Sequence, residues 1–325
     1  MARVAVAIVT MNTRDDVLAC LQSLQGEPDV EIAVLDNLSD DGTVEAIRAR
    51  FPDLCVIEAD RRRGFGANNN ILIRATTAPY VYLLNPDTES EPGSVAALAD
   101  VLDANPAVAA VGPRVVFGNG STQDTAWRFP SPATCVRAAL TLGRGGITQS
   151  GGGAARKVEW AMACALLVRR SALDDVGLFD EGYFMYSEET DLERRLATAG
   201  YEVQWTPATT VVHHQGTSTA SVPERRVNEQ WRSRHRYWVK HHTPTGRRIA
   251  SSALGVQYGL LAVIGAVLLR LPSWLRPVPV APLDPASWRL SARNAFLGVR
   301  GPGLEELAAE FNSRREVPGP AASGA

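Results

Sequence analysis

Five short apolar runs punctuate the first third of the chain: VAVAIV (4–9), EIAVLD (31–36), LCVIEA (54–59), YVYLLN (80–85) and VAAVGP (108–113). Between them lie DDVLACLQSLQ, GTVEAIRARF, ANNNILIRATT and SVAALADVLDA, each with apolar positions spaced to give one buried helical face. Strand-length runs alternating with helix-length segments predict βαβ units and an α/β fold with a mostly parallel sheet. The first four runs are apolar almost throughout, as expected of strands covered by helices on both faces.

That rhythm breaks between Phe117 and Lys157, where Gly, Ser, Thr and Pro accumulate, and a mobile loop is expected over 117–157. Order resumes with VEWAMACALLVRR, then SEETDLERRLATAG, a helix with Ser187 at its N-cap that stops at Gly200, then the strand YEVQWTP. A basic helix is expected from about Glu224 to His242, with Val227, Trp231 and Trp238 on one face. It leads into an uncharged stretch, Ile249 to Leu269, bracketed by Arg247, Arg248 and Arg270. A bilayer's hydrocarbon layer needs roughly 20 apolar residues, so this stretch either touches a membrane or packs as a buried or interface helix. The chain then divides into a catalytic-type domain (1–222), the two helices (223–278) and a Pro-, Ala- and Gly-rich tail (279–325) expected to be peripheral.

Charge changes the picture locally. The net charge is -2, which argues against a nucleic-acid binder, yet Arg225 to Arg248 holds eight basic residues against Glu229 alone. Something anionic is expected to meet that segment. Four cysteines without CxxC spacing, and an N-terminus that enters a strand without a signal-like apolar core, suggest a reducing, cytoplasmic setting.

The chemistry-bearing residues sit where strands end, which is where open α/β sheets bind ligands. Thr10 and Asn12 follow the first strand and either meet a ligand or cap the next helix. Asp36 ends the second, in a position to accept hydrogen bonds from a ribose or base or to start a turn. Gly64 and Gly66, with Asn68 to Asn70 at a helix start, favour a nucleotide or phosphate nearby. The glycine pair follows the third strand and lacks the full dinucleotide spacing, which disfavours a nicotinamide dehydrogenase. Asn85 and Asp87 flank Pro86 at the fourth strand's tip, where they could share a face and hold Mg2+ or Mn2+, or simply turn the chain. Glu188, Glu189 and Asp191 open a helix, where the macrodipole lowers their pKa values while their mutual repulsion raises at least one.

In this order, AIVTMNTRDDVLACLQSL, IAVLDNLSDDGTVEAI, RRGFGANNNILIRATTAPYVYLLNPDTESEPGSVAAL, VGPRVV, VEWAMACALLVRRSALDDVGLFDEGYFMYSEETDLERRLATAGYEVQW and VVHHQGTST resemble the family 2 glycosyltransferases of the GT-A fold, particularly bacterial rhamnosyltransferases. The resemblance implies a GT-A domain with a C-terminal helical extension. It implies that Thr10, Asn12 and Asp36 hold the donor's nucleoside, with Asp36 facing the base, and that Gly64, Phe65 and Asn68 line the nucleotide and sugar. Asn85 and Asp87 match the D-x-D metal motif in an N-P-D form, with Asp87 as the ligand of Mn2+ or Mg2+. Glu189 matches the base of the family's E-D pair, flanked by Glu188 and Asp191, and His213, or its neighbour His214, matches a late histidine near the metal or diphosphate. Two departures stand out: the pair reads Glu-Glu, one methylene longer, and Ala163 replaces a glycine common in relatives near the expected acceptor.

The implied reaction is inverting transfer from a nucleoside-diphosphate sugar, such as dTDP-rhamnose, to a hydroxyl acceptor, such as a polyprenyl-diphosphate-linked sugar of cell-wall or surface polysaccharide. Peripheral contact with the inner face of the plasma membrane, or a homodimer, would cover the uncharged stretch. The competing readings are a cytosolic transferase for a small molecule or glycan and a nonhydrolytic sugar-nucleotide binding module.

Overall fold

Each of the five apolar runs forms a strand and each segment between them a helix. The computed structural model describes residues 2–143, 145, 147–214, 221–272 and 284–316. The first half runs β1 (Val4–Thr10), α1 (Arg14–Ser23), β2 (Val30–Asp36), α2 (Thr43–Arg50), β3 (Cys55–Glu58), α3 (Phe65–Ala75), β4 (Tyr80–Leu84), β5 (Thr88–Ser90), α4 (Ser94–Ala104) and β6 (Val108–Val116). The second half continues with β7 (Thr122–Gln123), β8 (Ala126–Trp127), α5 (Pro132–Leu140), β9 (Arg156–Val158), β10 (Trp160–Ala161), β11 (Ala165–Arg169), α6 (Arg170–Val176), α7 (Glu188–Thr198) and β12 (Glu202–His213). Four more helices follow: α8 (Pro223–His241), α9 (Pro244–Leu268), α10 (Pro285–Leu297) and α11 (Leu304–Glu316).

The main sheet has the order β3-β2-β1-β4-β11-β6-β12-β5, with β7 on β6 and β9 on β12. Its first four strands are parallel, β6 and β12 are parallel to each other, and β11 runs antiparallel between β4 and β6. Successive side chains of a strand point to opposite faces. Val4, Val6 and Ile8 of β1 with Tyr80, Tyr82 and Leu84 of β4 therefore pack with α1 and α4, while Ala7, Val81 and Leu83 pack with α3, α6 and α7. The sheet is thus buried on both sides, which accounts for the unbroken apolar runs. Because β1 and β2 pair with Thr10 opposite Asp36, their carboxyl ends open at the same edge. The long β12 ends beside β5, with His213 opposite Thr88, so a late residue arrives next to the tip of β4.

Three expectations need correction. The segment 117–157, read as one mobile loop, carries β7, β8 and α5, whose N-cap Ser131 accepts the Thr134 N–H, and β9. Its Gly and Ser content hid a short amphipathic helix that buries Cys135 and Ala138. The tail, read as peripheral, contains α10 and α11. Ser251 Oγ donates to Ala295 O, Asn294 Nδ2 to Asn228 Oδ1, and Arg225 and Arg232 pair with Glu310 and Glu306. The face of α8 that carries Val227, Trp231 and Trp238 is buried, with Trp231 and Trp238 packing against Tyr237, Leu254 and Ala295. The anionic groups that meet its cations are largely the chain's own carboxylates, since Arg236 and Lys240 pair with Asp180, and Lys240 also with Asp191. The motif residues 215–219 of VVHHQGTST lie outside the described residues.

Candidate active site

The edge where β1 and β2 end is built by backbone ties between loops. Asn12 takes a left-handed φ of 53°, which asparagine tolerates; its N–H donates to Ser39 Oγ and its Oδ1 accepts from Asp40 N, both at 2.8 Å. Thr10 is buried, with its hydroxyl 2.8 Å from that of Thr13. Both residues fix the loops at the carboxyl ends of β1 and β2. Asp36 is buried and one oxygen, Oδ2, accepts from Ser39 N, but Oδ1 has no partner among the described residues. A buried acceptor left open costs about 1–3 kcal/mol, so an unpaired carboxylate oxygen here marks a place for a donor group from outside the chain.

The loop before α3 is tied to this edge by Asn37, whose Nδ2 donates to Arg63 O and whose Oδ1 accepts from Arg63 N. A side chain at Gly64 would put its Cβ 2.2 Å from Phe184 O, so only glycine lets these backbones meet, and the Phe65 N–H donates to that same oxygen. Phe65 stands edge-on to Phe179, with ring centroids 6.1 Å apart. The three asparagines divide their work. Asn70 clamps the 179–181 loop, Asn69 bonds Phe65 O, and Asn68 donates to Arg63 O while its own buried Oδ1 stays open. The loop before this helix is held from the C-terminus: Arg62 and Asn312 exchange two hydrogen bonds at 2.8 and 3.0 Å, and the Arg62 guanidinium stacks 3.4 Å from the Phe311 ring centre.

At the tip of β4, Asn85 N–H donates to Cys164 O and its carbonyl accepts from Thr88 Oγ1, turning the chain so that Asp87 is buried against β12. His213 Nε2 lies 3.3 Å from Asp87 Oδ1, and its Nδ1 lies 3.0 Å from Gln123 Oε1. The glutamine oxygen can only accept, so Nδ1 carries the proton and, in the neutral ring, Nε2 turns its lone pair toward the carboxylate. An acceptor nitrogen beside an acceptor oxygen, with the far nitrogen fixed by a carbonyl, is a donor set that suits a divalent cation. Of the two late histidines, His214 turns away to Glu89 Oε1 at 2.7 Å.

The third component is the start of α7. Tyr186 and Ser187 both have positive φ, 70° and 65°, and Ser187 occupies the N-cap position without making a side-chain cap. Two consecutive non-glycine residues in this region cost on the order of 1–3 kcal/mol each, a strain that occurs mainly at functional sites. They deliver Glu188 and Glu189 into the interior, where one oxygen of each is buried without a partner among the described residues. Burial outweighs the helix N–H groups: it lifts Glu189 to about 7, and burial together with the Glu189 charge lifts Glu188 well above the carboxylate range.

Asp191 behaves in the opposite way. Burial would raise its pKa, but hydrogen bonds from His241 at 2.7 Å, Lys240 at 2.9 Å and Arg195 at 2.9 Å bring it down to about 2. With its oxygens committed to Arg195, Lys240 and His241 it ties α7 to α8. A residue missing from the sequence reading is Glu193, one turn beyond Glu189: fully buried, it accepts the Ala161 N–H through Oε2 at 2.7 Å, and burial pushes its pKa well above the ordinary carboxylate range. The spacing of four from Glu189 places both on one helix face, which was the available signal. Gln123, which fixes the His213 tautomer, had no local signal.

These components converge. Asp87 and Glu189 both bear on the buried Cys164 thiol, which burial first and then their two charges push upward. Cys164 lies just before β11, beside Asn85. Asp87, with His213 beside it, and Glu189, from a distant part of the chain, thus both come near the start of β11.

The model of "Glycosyl transferase family 2" matches residues 5–176. An N-acetylglucosaminyl-diphospho-decaprenol L-rhamnosyltransferase of Mycobacterium tuberculosis is 30% identical over 250 residues, covering 68% of this chain and 78% of the relative. The mannosyltransferase PcManGT from Pyrobaculum calidifontis, solved with GDP-Man and Mn2+, aligns at a TM-score of 0.53 and 18% identity over 92% of this chain and 88% of its own. S. aureus TarS 1-349, solved with UDP-GlcNAc, aligns at 0.53 and 15% identity over 92% and 82%. These two share the GT-A fold with the present structure. With more than half of its length matched by the family and a 30% identical relative spanning two thirds of it, the chain belongs to glycosyl transferase family 2 and is a glycosyltransferase.

Proposed function

We propose that the protein is an inverting, metal-dependent transferase that moves a sugar, rhamnose from dTDP-rhamnose, onto a polyprenyl-diphosphate-linked sugar at the cytoplasmic face of a membrane. The observation that carries this reading is the pairing of Asp87 with His213 at 3.3 Å at the tip of β4, with the far ring nitrogen held by Gln123 at 3.0 Å. The named activity of the 30% identical relative supports the acceptor class and the rhamnosyl group.

In this reading Asp36 Oδ1 and Asn68 Oδ1 take donor hydrogens from the nucleotide, using their open acceptor positions. Asp87 and His213 hold the divalent cation. The mixed oxygen and nitrogen donor set favours Mn2+ over Mg2+, which prefers oxygen alone. When bound, the cation neutralises charge growing on the departing diphosphate. Glu189, ionised near neutral pH, accepts the proton of the acceptor hydroxyl as its oxygen bonds to the anomeric carbon and the bond from that carbon to the diphosphate oxygen breaks. Burial and the Glu189 charge favour the protonated form of Glu188, which limits the negative charge beside the base. Asp191 acts as a positioning residue, holding the start of α7 on α8.

The direct test is turnover of dTDP-rhamnose with a polyprenyl-diphosphate N-acetylglucosamine, alongside other donors and a water-soluble acceptor. Transfer confined to a different donor sugar would overturn the rhamnosyl assignment. Replacing Asp87 by Asn should lower turnover on the order of 10²–10³ and weaken Mn2+ binding measured by calorimetry. Unchanged Mn2+ affinity would remove Asp87 as a ligand. Replacing Asn312 by Ala releases the 60–63 loop from α11 and should raise the donor KM about two- to tenfold with kcat unaltered, the loss of one or two hydrogen bonds acting on donor binding alone. A change in kcat with constant KM would place the helix elsewhere in the cycle.

A further inference from the structure

Among the described residues, helices α5 and α9 leave a continuous apolar surface uncovered. Along α9 the outward positions recur at helical spacing as Ile249, Ser252, Val256, Leu260, Val263 and Val267, a stripe about 27 Å long at 1.5 Å per residue. Val263 is 64% exposed, and Leu140 at the end of the adjoining α5 is 82% exposed. An open apolar groove between the two helices is lined by Val136, Leu140, Ile249 and Val256. Soluble proteins rarely leave contiguous apolar surface of this kind without a partner.

The opposite side of α9 is closed. Gly255 and Gly265 lie against Phe296 and Trp288 of α10, and Ser251 Oγ donates to Ala295 O. A helix fixed along one side cannot cross a bilayer without losing those contacts, but it can lie in the plane of one.

Charge identifies the occupant. No Asp or Glu occurs from residue 125 to 158 or from 230 to 283, the runs that contain α5 and α9. The basic residues of α8 that turn inward have carboxylate partners, as with Arg232 and Glu306 or Arg236 and Asp180. Arg137 and Arg248 instead border the apolar groove, with Arg247 adjacent. Among the described residues these three arginines pair with no carboxylate. Apolar side chains flanked by cations, with no acid among them, match the boundary between acyl chains and anionic headgroups.

We infer that the α5–α9 face docks the enzyme in the plane of an anionic lipid bilayer. This deepens the proposed function, on which it rests for its purpose: a docked enzyme meets a lipid-linked acceptor at the bilayer, and residues 128–131 join α5 to β8, which pairs with β10.

The test is co-sedimentation of the full chain with vesicles of phosphatidylglycerol and phosphatidylcholine and with vesicles of phosphatidylcholine alone. Each variant is also assayed for donor hydrolysis and for melting temperature. The chain should sediment with the anionic vesicles and release them at high salt. The triple replacement Val256→Ser, Leu260→Ser, Val263→Ser should lower partitioning at least about tenfold, and Arg137→Glu with Arg248→Glu should do the same for anionic vesicles only. Hydrolysis and melting should stay as in the native protein, because all five side chains lie on the outer surface. Native partitioning by the triple variant overturns the assignment, as does a native protein that stays in the supernatant. A dimer in solution that the triple variant dissociates, without change in vesicle binding, would show that a second copy covers the face. Intact donor hydrolysis in any of these cases leaves the glycosyltransferase reading standing, whereas its absence in the native protein strikes that reading and not the surface.

Discussion

Replacing Glu189 by Gln should reduce kcat by about 10²–10⁴ while leaving the dissociation constant of the sugar nucleotide within a factor of about two, since the change removes a proton acceptor and little volume. The side chain is half-buried at the start of a strained helix and is lifted to about 7. The base must be ionised, so turnover should rise with pH through that region and fall about tenfold per pH unit below it. The same shift affects folding in the opposite direction. A carboxyl whose folded pKa exceeds its unfolded value contributes its full stability below about 4.5, and that contribution is lost as pH rises through the folded pKa. The native protein should therefore melt at a lower temperature at pH 8 than at pH 5.5 while working faster. Native turnover in Glu189→Gln, or a rate independent of pH between 6 and 8, would remove Glu189 as the base.

The largest stability effect is expected at Asp191. Its substitution by Ala removes the fully buried carboxylate shared by Lys240, His241 and Arg195, and breaking a buried ion pair in this way costs about 3–5 kcal/mol. Chemical denaturation should show that loss directly. Because the carboxyl's folded pKa is depressed to about 2 from 3.8, its contribution is present above about 4 and is lost as pH falls toward 2. The difference between native and variant stability should therefore shrink in acid. An Asp191→Ala protein as stable as the native one, but inactive, would return Asp191 to the catalytic group.

What could be read from the residues alone follows from the range of the interactions involved. The strands of the parallel half were legible because burial on both faces leaves unbroken apolar runs, and α1 to α4 because their apolar spacing is local. Asp87 and His213 meet across 126 positions, so only the motif resemblance joined them, and the choice of His213 over His214 required seeing Glu89 take the latter. The three acids that open α7 looked alike in the chain. What separates Glu189 from Asp191 is the company each keeps: an oxygen without a partner among the described residues for one, and hydrogen bonds from Arg195, Lys240 and His241 for the other. The tail was misread because Pro, Ala and Gly dominate its composition, while the few residues that dock it, Asn294, Leu304 and Asn312, are too sparse to form a pattern. The basic segment was misread for the complementary reason that carboxylates distant in sequence meet its cations.

The central claim is that acids and a histidine from three parts of the chain close around one crevice, with the cation and the base on different sides of the transferred sugar. Crystals grown with Mn2+ and a nucleoside-diphosphate sugar, measured at the manganese absorption edge, test it most directly. An anomalous peak bonded to Asp87 Oδ1 and His213 Nε2, with the Glu189 carboxylate across the sugar's anomeric carbon from the diphosphate, is the predicted result. A peak away from both ligands, or a sugar whose anomeric carbon lies beyond reach of Glu189, would contradict it.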